Sequence, residues 1–142
     1  MTTTLSRVYT WVASLGLLAQ GSSTLAALLV PAIDRAMPAL LQQTQMVVAH
    51  SLLHIATGLL GLAALARGRV SGSGGTTWPR RFALGFGLFY LFLGVAGERS
   101  GLQLCLSLKP FDHPFHAVLG GIGLLAAGID HIQSHRAIRR QA

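Results

Sequence analysis

The sequence predicts an all-α fold: an integral membrane four-helix bundle built from two parallel helical-hairpin repeats. Three observations carry that expectation. Of 142 residues, 51% are hydrophobic and only 11% are charged, where a soluble domain carries about 25% charged residues. Four apolar segments approach or exceed the about 20 residues a helix needs to cross the hydrocarbon core. Two of those segments share a cassette: Leu53-His54-x3-Gly58-x2-Gly61-Leu62-x-Ala64 recurs as Phe115-His116-x3-Gly120-x2-Gly123-Leu124-x-Ala126. On a helix, positions i, i+4 and i+7 share a face, so each span has a stripe of one histidine followed by two glycines.

The first span is expected over residues 8–33, after a short polar lead. Its apolar run is long and its basic flank thin (Arg7), which favours a retained span over a cleaved leader despite Ala32 and Ala36. Pro31 and Pro38 bracket its outer end, where a proline ends a helix without stranding a buried donor. The second span is expected over 46–66. A linker over 67–81 follows, centred on Ser71-Gly72-Ser73-Gly74-Gly75, too polar and flexible for a packed element. Trp78-Pro79-Arg80-Arg81 reads as a boundary anchor for the third span at 82–97. The fourth is expected over 115–129. The last two are short at their apolar limits and must take in flanking residues or sit in thinned bilayer. Between them, Leu102-Gln103-Leu104-Cys105-Leu106-Ser107-Leu108 alternates with a strand's period; an extended segment and a helical continuation both fit it.

The linker divides the chain into two helix pairs. Each pair crosses twice, so both enter from the same side and the repeat is parallel. The first and third spans match more weakly, with Gly21 and Gly94 at comparable depth. Charge sets the orientation. The net charge is +7, with Arg7, Arg67, Arg69, Arg80, Arg81, Arg136, Arg139 and Arg140 on one side of four alternating spans. Arg35, Arg99 and Lys109 fall on the other, beside Asp34, Glu98 and Asp112. This places both termini in the cytoplasm, of a bacterial inner membrane. No nucleic-acid motif accompanies the positive charge, so the partners expected are the lipid bilayer and other membrane subunits or a second copy. One cysteine, Cys105, excludes an internal disulfide and any multi-cysteine cluster.

The histidines are the costliest residues to place in lipid. His54 and His116 should lie at one depth on helices running the same way, with His50 and Asp112 one turn further out. Ionisable residues in a membrane face the bundle interior or pair with one another. Two histidines at one depth suit a haem iron; with Asp112 or Glu98 added they suit a divalent metal. A structural role, with the imidazoles satisfied by backbone and the glycines packing helices, fits the same pattern. His113, before Pro114, reads as interfacial, and His131 and His135 as a solvated tail. Glu98 and Asp130 read as boundary residues able to pair with nearby cations. The phenylalanines of the third span (Phe82, Phe86, Phe89, Phe92) can face lipid, core or a pigment. Gly58, Gly61, Gly94, Gly97, Gly120 and Gly123 are the expected helix-packing positions. No carboxylate pair, G-x-S-x-G, H-E-x-x-H or phosphate-binding loop is present.

Three stretches carry a resemblance: His50-Ser-Leu-Leu-His54-x3-Gly58, Tyr90-Leu-Phe-Leu-Gly94-Val-x-Gly97 and Asp112-x3-His116-x3-Gly120. On these, from Val48 to Gly128, the chain resembles a family of small bacterial four-helix membrane proteins of unknown function. It departs from that pattern at His113-Pro114 and through most of the first span. The family has no established activity, so the resemblance implies fold and topology and leaves the chemistry open. A looser likeness to DoxX-type membrane proteins rests on architecture alone.

With no catalytic motif, the first expectation is a non-enzymatic membrane subunit packing through its glycines within a larger complex or against itself. The alternative is a haem-, pigment- or metal-binding redox protein using His54 and His116, with His50 and Asp112 in support. A transporter is a third reading, against which the spans lack a polar pathway.

Overall fold

The computed structural model describes residues 4–44, 46–70, 77–100 and 106–139, all helix and short connections. The helices are α1 (Leu5–Leu29), α2 (Pro31–Ala36), α3 (Pro38–Thr44), α4 (Val48–Val70), α5 (Thr77–Ser100) and α6 (Asp112–Arg139). Among them α1, α4, α5 and α6 are long and apolar enough to cross a membrane. The shortest qualifying stretches, Val48–Gly68 and Thr77–Gly97, have 21 residues each. At 1.5 Å per residue they reach about 31 Å, a full hydrocarbon core.

The helices outrun their apolar segments, because polar and arginine-bearing flanks stay helical after hydropathy has fallen. α5 begins at Thr77 and α6 continues to Arg139, so neither is short. The expected linker accordingly narrows from both sides. The first helix instead stops early, at Leu29. Val30 takes an extended conformation (φ −121°, ψ 98°) because the following proline disfavours the helical region, and Pro31 then opens α2.

The long helices run up and down, with α1 packed along α4 and α5 along α6, and smaller contacts joining the two pairs. The inner layer of the bundle joins Tyr9, Ala13, Leu17, Ala83, Phe86, Tyr90, Ala126 and Ala127. Polar residues are also inside: Ser6, Thr10, Ser14, Thr24 and Ser51 are fully buried. Outside stand Val12, Leu60, Leu88, Val118 and Leu125, each more than half exposed. A water-soluble bundle arranges these the other way round; apolar outside and small or polar inside suits lipid.

The glycines set the helix spacing. A Cβ on Gly120 would lie 2.5 Å from Leu91 N and 2.7 Å from Gly87 O, and one on Gly94 would lie 2.7 Å from both His113 O and Ala117 N. Gly58 faces Leu18 and Ser14, Gly61 faces Ser14 and Phe82, Gly97 the His113 ring, and Gly123 Tyr9 and Ala83. Gly16, Gly85, Gly121 and Gly128 face open space.

Leu106 and Leu108 are buried against Leu93 and Leu53. Ser107 between them has φ 49°, so this part of the alternating segment is a looped turn and not a strand. Residues 102–105, the glycine–serine linker 71–75 and the side chains of Glu98 and Arg99 lie outside the described residues.

Candidate metal centre

His50 and His54 are one helical turn apart, so α4 presents both on one face. Their rings meet edge to face at 4.7 Å between centroids. α6 brings His116 to 5.6 Å from His50 and 6.2 Å from His54. All three side chains are 1% exposed. Each offers a nitrogen such that the three ligand atoms lie within 4.8 Å of one another. Three imidazoles from two helices thus converge on one point, towards the end of the bundle where α4 and α6 begin.

The other two long helices hold them there. From α5, Tyr90 sits edge-on to His116 at 4.9 Å and 6.3 Å from His54. Behind it, Phe86 stacks at 4.0 Å and Phe82 stacks on Phe86 at 5.2 Å. From α1, Gly21 lets the backbone close on α4: a Cβ there would lie 2.7 Å from Ser51 O and 3.0 Å from His54 Cβ. Thr57 donates to the carbonyls of Leu53 (2.8 Å) and His54 (3.1 Å), so its polarity is satisfied within α4.

The imidazoles are not satisfied. Both nitrogens of His50, both of His54 and Nδ1 of His116 are buried and find no hydrogen-bond partner among the described residues. A neutral imidazole has one donor and one acceptor nitrogen, and leaving such a group unpaired costs roughly 1–3 kcal/mol. A structural histidine resolves that cost with a carbonyl or hydroxyl; among the described residues neither nitrogen of His50 or His54 does so, nor does Nδ1 of His116. A shared cation would satisfy one nitrogen from each ring.

Asp112 stands apart from the trio. Its carboxylate accepts the Lys109 backbone N–H at 2.7 Å and so fastens the loop into α6. It lines, with His54, His116, Gln20, Lys109 and Phe115, a cavity of about 680 Å³. Two of the three histidines, His54 and His116, therefore open onto a roomy cavity on one side. His113 is half-buried against Gly97, more enclosed than an interfacial residue. His131 and His135 are exposed near the end of α6, their rings 4.4 Å apart. The third-span phenylalanines divide, with Phe86 in the core and Phe92 outside.

Asp130 does something the sequence did not announce. Though 4% exposed, its carboxylate accepts the backbone N–H groups of Leu5 (3.1 Å) and Ser6 (2.8 Å). Thr4, at the N-cap of α1, makes no side-chain capping bond. Asp130 thus caps α1 from another helix, where an anion is also favoured by the helix dipole.

A flat macrocycle between His54 and His116 does not fit these residues. His50 stands against both rings, and the glycines below, Gly58 and Gly120, are occupied by Leu18 and Ser14 and by Leu91 and Gly87. The ring triangle is the size of a single ion's ligand set.

No protein-family model, curated protein or solved structure matches the chain.

Proposed function

We propose that this chain is an integral membrane protein that holds one transition-metal ion between His50, His54 and His116. The observation that carries the reading is the convergence of three buried imidazoles, of which both nitrogens of His50 and His54 and Nδ1 of His116 lack partners among the described residues. Imidazole suits zinc, copper, nickel and iron. Charge narrows the choice. Three neutral ligands cancel none of the ion's charge, and the cost of burying charge rises with its square. A monovalent ion is therefore held at much lower cost than a divalent one, which favours Cu(I). Zn(II) would require an anionic fourth ligand entering from the Asp112 side.

The two hairpins read as copies of one ancestral pair, and contact equivalence supports this. Gly21 packs on the carbonyl of Ser51 and Gly94 on that of His113; Gly58 meets Ser14 and Leu18, while Gly120 meets Gly87 and Leu91. Shifting the first helix by 73 residues and the second by 62, read from the numbering, converts one set into the other. The same shifts exchange Gly61 against Phe82 for Gly123 against Tyr9. A pseudo-two-fold axis relating the halves would then relate His54 to His116. We place both termini on the cytoplasmic side of a bacterial inner membrane from the arginine distribution.

The packing-subunit reading rests on a different observation, the outward-facing Gly16, Gly121 and Gly128. The six glycines first expected to serve it are taken up within the bundle.

The test is metal content of protein purified from its own membrane without chelator, beside an oxidised and a reduced absorption spectrum. About one ion per chain is expected, falling at least roughly tenfold in H54Q/H116Q while helical content and monodispersity persist. Acidification should release the ion, because imidazole binds metal only when neutral. Metal content unchanged in the double variant, or absent from native preparations, would refute the reading. A Soret band tracking the protein would transfer the site to haem.

A further inference from the structure

α6 carries a second histidine pair near its other end. His131 and His135 are four residues apart, so the helix presents both on one face. Their rings meet edge to face, 4.4 Å between centroids and 76° between planes. His50 and His54 on α4 stand at 4.7 Å and 82°. The two pairs share one spacing and one ring arrangement. They are separate sites: fifteen residues lie between His116 and His131 in the numbering, about 22 Å of helix.

Their surroundings differ. Asp130 is buried, with its carboxylate turned to the N–H groups of Leu5 and Ser6. From the next residue onwards α6 leaves the bundle, and residues 131–137 are all exposed. Among the described residues nothing packs over these two turns, so water and dissolved ions reach both rings. Arg136 and Arg139 share the last turns and disfavour a cation, while the negative end of the helix dipole favours one. Both effects are screened at an exposed site. Coordination bonds therefore decide what binds here, and imidazole selects borderline transition metals over magnesium or calcium, which seek oxygen.

We infer that His131 and His135 together bind one divalent transition-metal ion of the zinc, copper or nickel class, with water completing its coordination. The same placement, two histidines at i and i+4 on one helical face, supplies the paired ligands of helical zinc sites. Because both rings are exposed, the ion exchanges freely with solution, unlike one enclosed by the trio. An ion held by both rings also ties together the final turns of α6, where helix ends fray. The inference depends neither on the trio holding metal nor on the membrane reading.

The neighbouring sequence, His131-Ile-Gln133-Ser-His135, provides a test at constant composition. H131Q/Q133H exchanges two side chains and leaves histidines at i and i+2, which do not face each other. Full-length protein in detergent is titrated with Zn(II) alone against a chromogenic chelator, in the parent and in H54Q/H116Q. One exchangeable zinc per chain is expected in both. In each background H131Q/Q133H should weaken it at least roughly tenfold, with helical content and monodispersity unchanged. H131Q/Q133H/A137H restores the i, i+4 spacing one half-turn further along and should recover the affinity. Magnesium at the same concentration should not compete. Four results would overturn the inference: no exchangeable zinc in the parent, affinity untouched by H131Q/Q133H, no recovery with A137H, or competition by magnesium. Exchangeable zinc that vanishes in H54Q/H116Q would overturn it too, and would assign that ion to the trio.

Discussion

Asp130 shows how much one side chain can do where water is scarce. It is the one buried acid among the described residues, and its carboxylate accepts the first two backbone N–H groups of α1, 125 and 124 residues away. Replacing it with alanine leaves those donors and the positive end of α1 without an acceptor at the membrane boundary. D130A should destabilise the bundle by roughly 1–3 kcal/mol, read as a lower midpoint in denaturing-detergent titration. D130N, which keeps one acceptor oxygen but turns a donor towards the second N–H, should fall between D130A and the parent. If D130A unfolds at the parent's midpoint, the contact is incidental. No local pattern in the sequence signals this cap, because its partners are main-chain atoms that only tertiary packing brings near. The histidines were legible for the opposite reason: the cassette repeats them at helical spacing, and burial in lipid leaves an imidazole few inward-facing options. His50 and Asp112 looked equivalent by register, yet His50 joins the trio and Asp112 turns to the Lys109 N–H. The difference lies in the connections before the two helices, which register does not describe. Tyr90 could not be placed either, since the rotation of α5 is fixed by what packs behind it.

At the scale of the helices, spacing is controlled by where a Cβ is missing. Gly120 and Gly121 are adjacent and identical in composition terms, but one faces α5 and the other faces outward. In G120A the new Cβ would meet the Leu91 N and Gly87 O backbone atoms at 2.5 and 2.7 Å. Backbone cannot rotate aside as a side chain can, so α5 and α6 must separate. A loss of roughly 1–3 kcal/mol is expected. In G121A the Cβ meets nothing within 4 Å, and alanine's better helix propensity should leave stability unchanged or raised by up to about 1 kcal/mol. The pair is its own control in a denaturing-detergent titration, and equal effects would show that α5 and α6 are not held at glycine-limited distance. Helix positions themselves were readable from hydropathy, but their ends were not. The apolar limits at 82 and 129 fell well inside α5 and α6, because hydropathy marks where lipid ends and not where the hydrogen-bonded ladder does. The stop after Leu29 was visible in Pro31, a covalent constraint that operates without tertiary context.

Across the whole molecule, charge and chemistry segregate to opposite ends. Among the described residues, the imidazole trio, the cavity of about 680 Å³, Asp34 and Asp112 occupy one end; Arg7, Arg67, Arg80, Arg81, Arg136 and Arg139 occupy the other. Positive charge is retained on the cytoplasmic side during insertion, so this asymmetry bears on orientation and, for the metal site proposed above, on which compartment would supply the ion. In a cysteine-free C105S background, M37C lies in the exposed connection between α2 and α3, and S73C lies in the linker joining the two hairpins. A membrane-impermeant maleimide applied to spheroplasts should label M37C readily and S73C only after the membrane is opened. The opposite pattern would invert the protein. The cavity beside His54 and His116 would then open to the cytoplasm. With the expected orientation, the trio lies nearer the outer face, and an impermeant chelator added to intact spheroplasts should strip its metal by way of the Asp112 cavity. Metal that resists an external chelator but yields to a permeant one would place the mouth on the inner side, whatever the arginines imply.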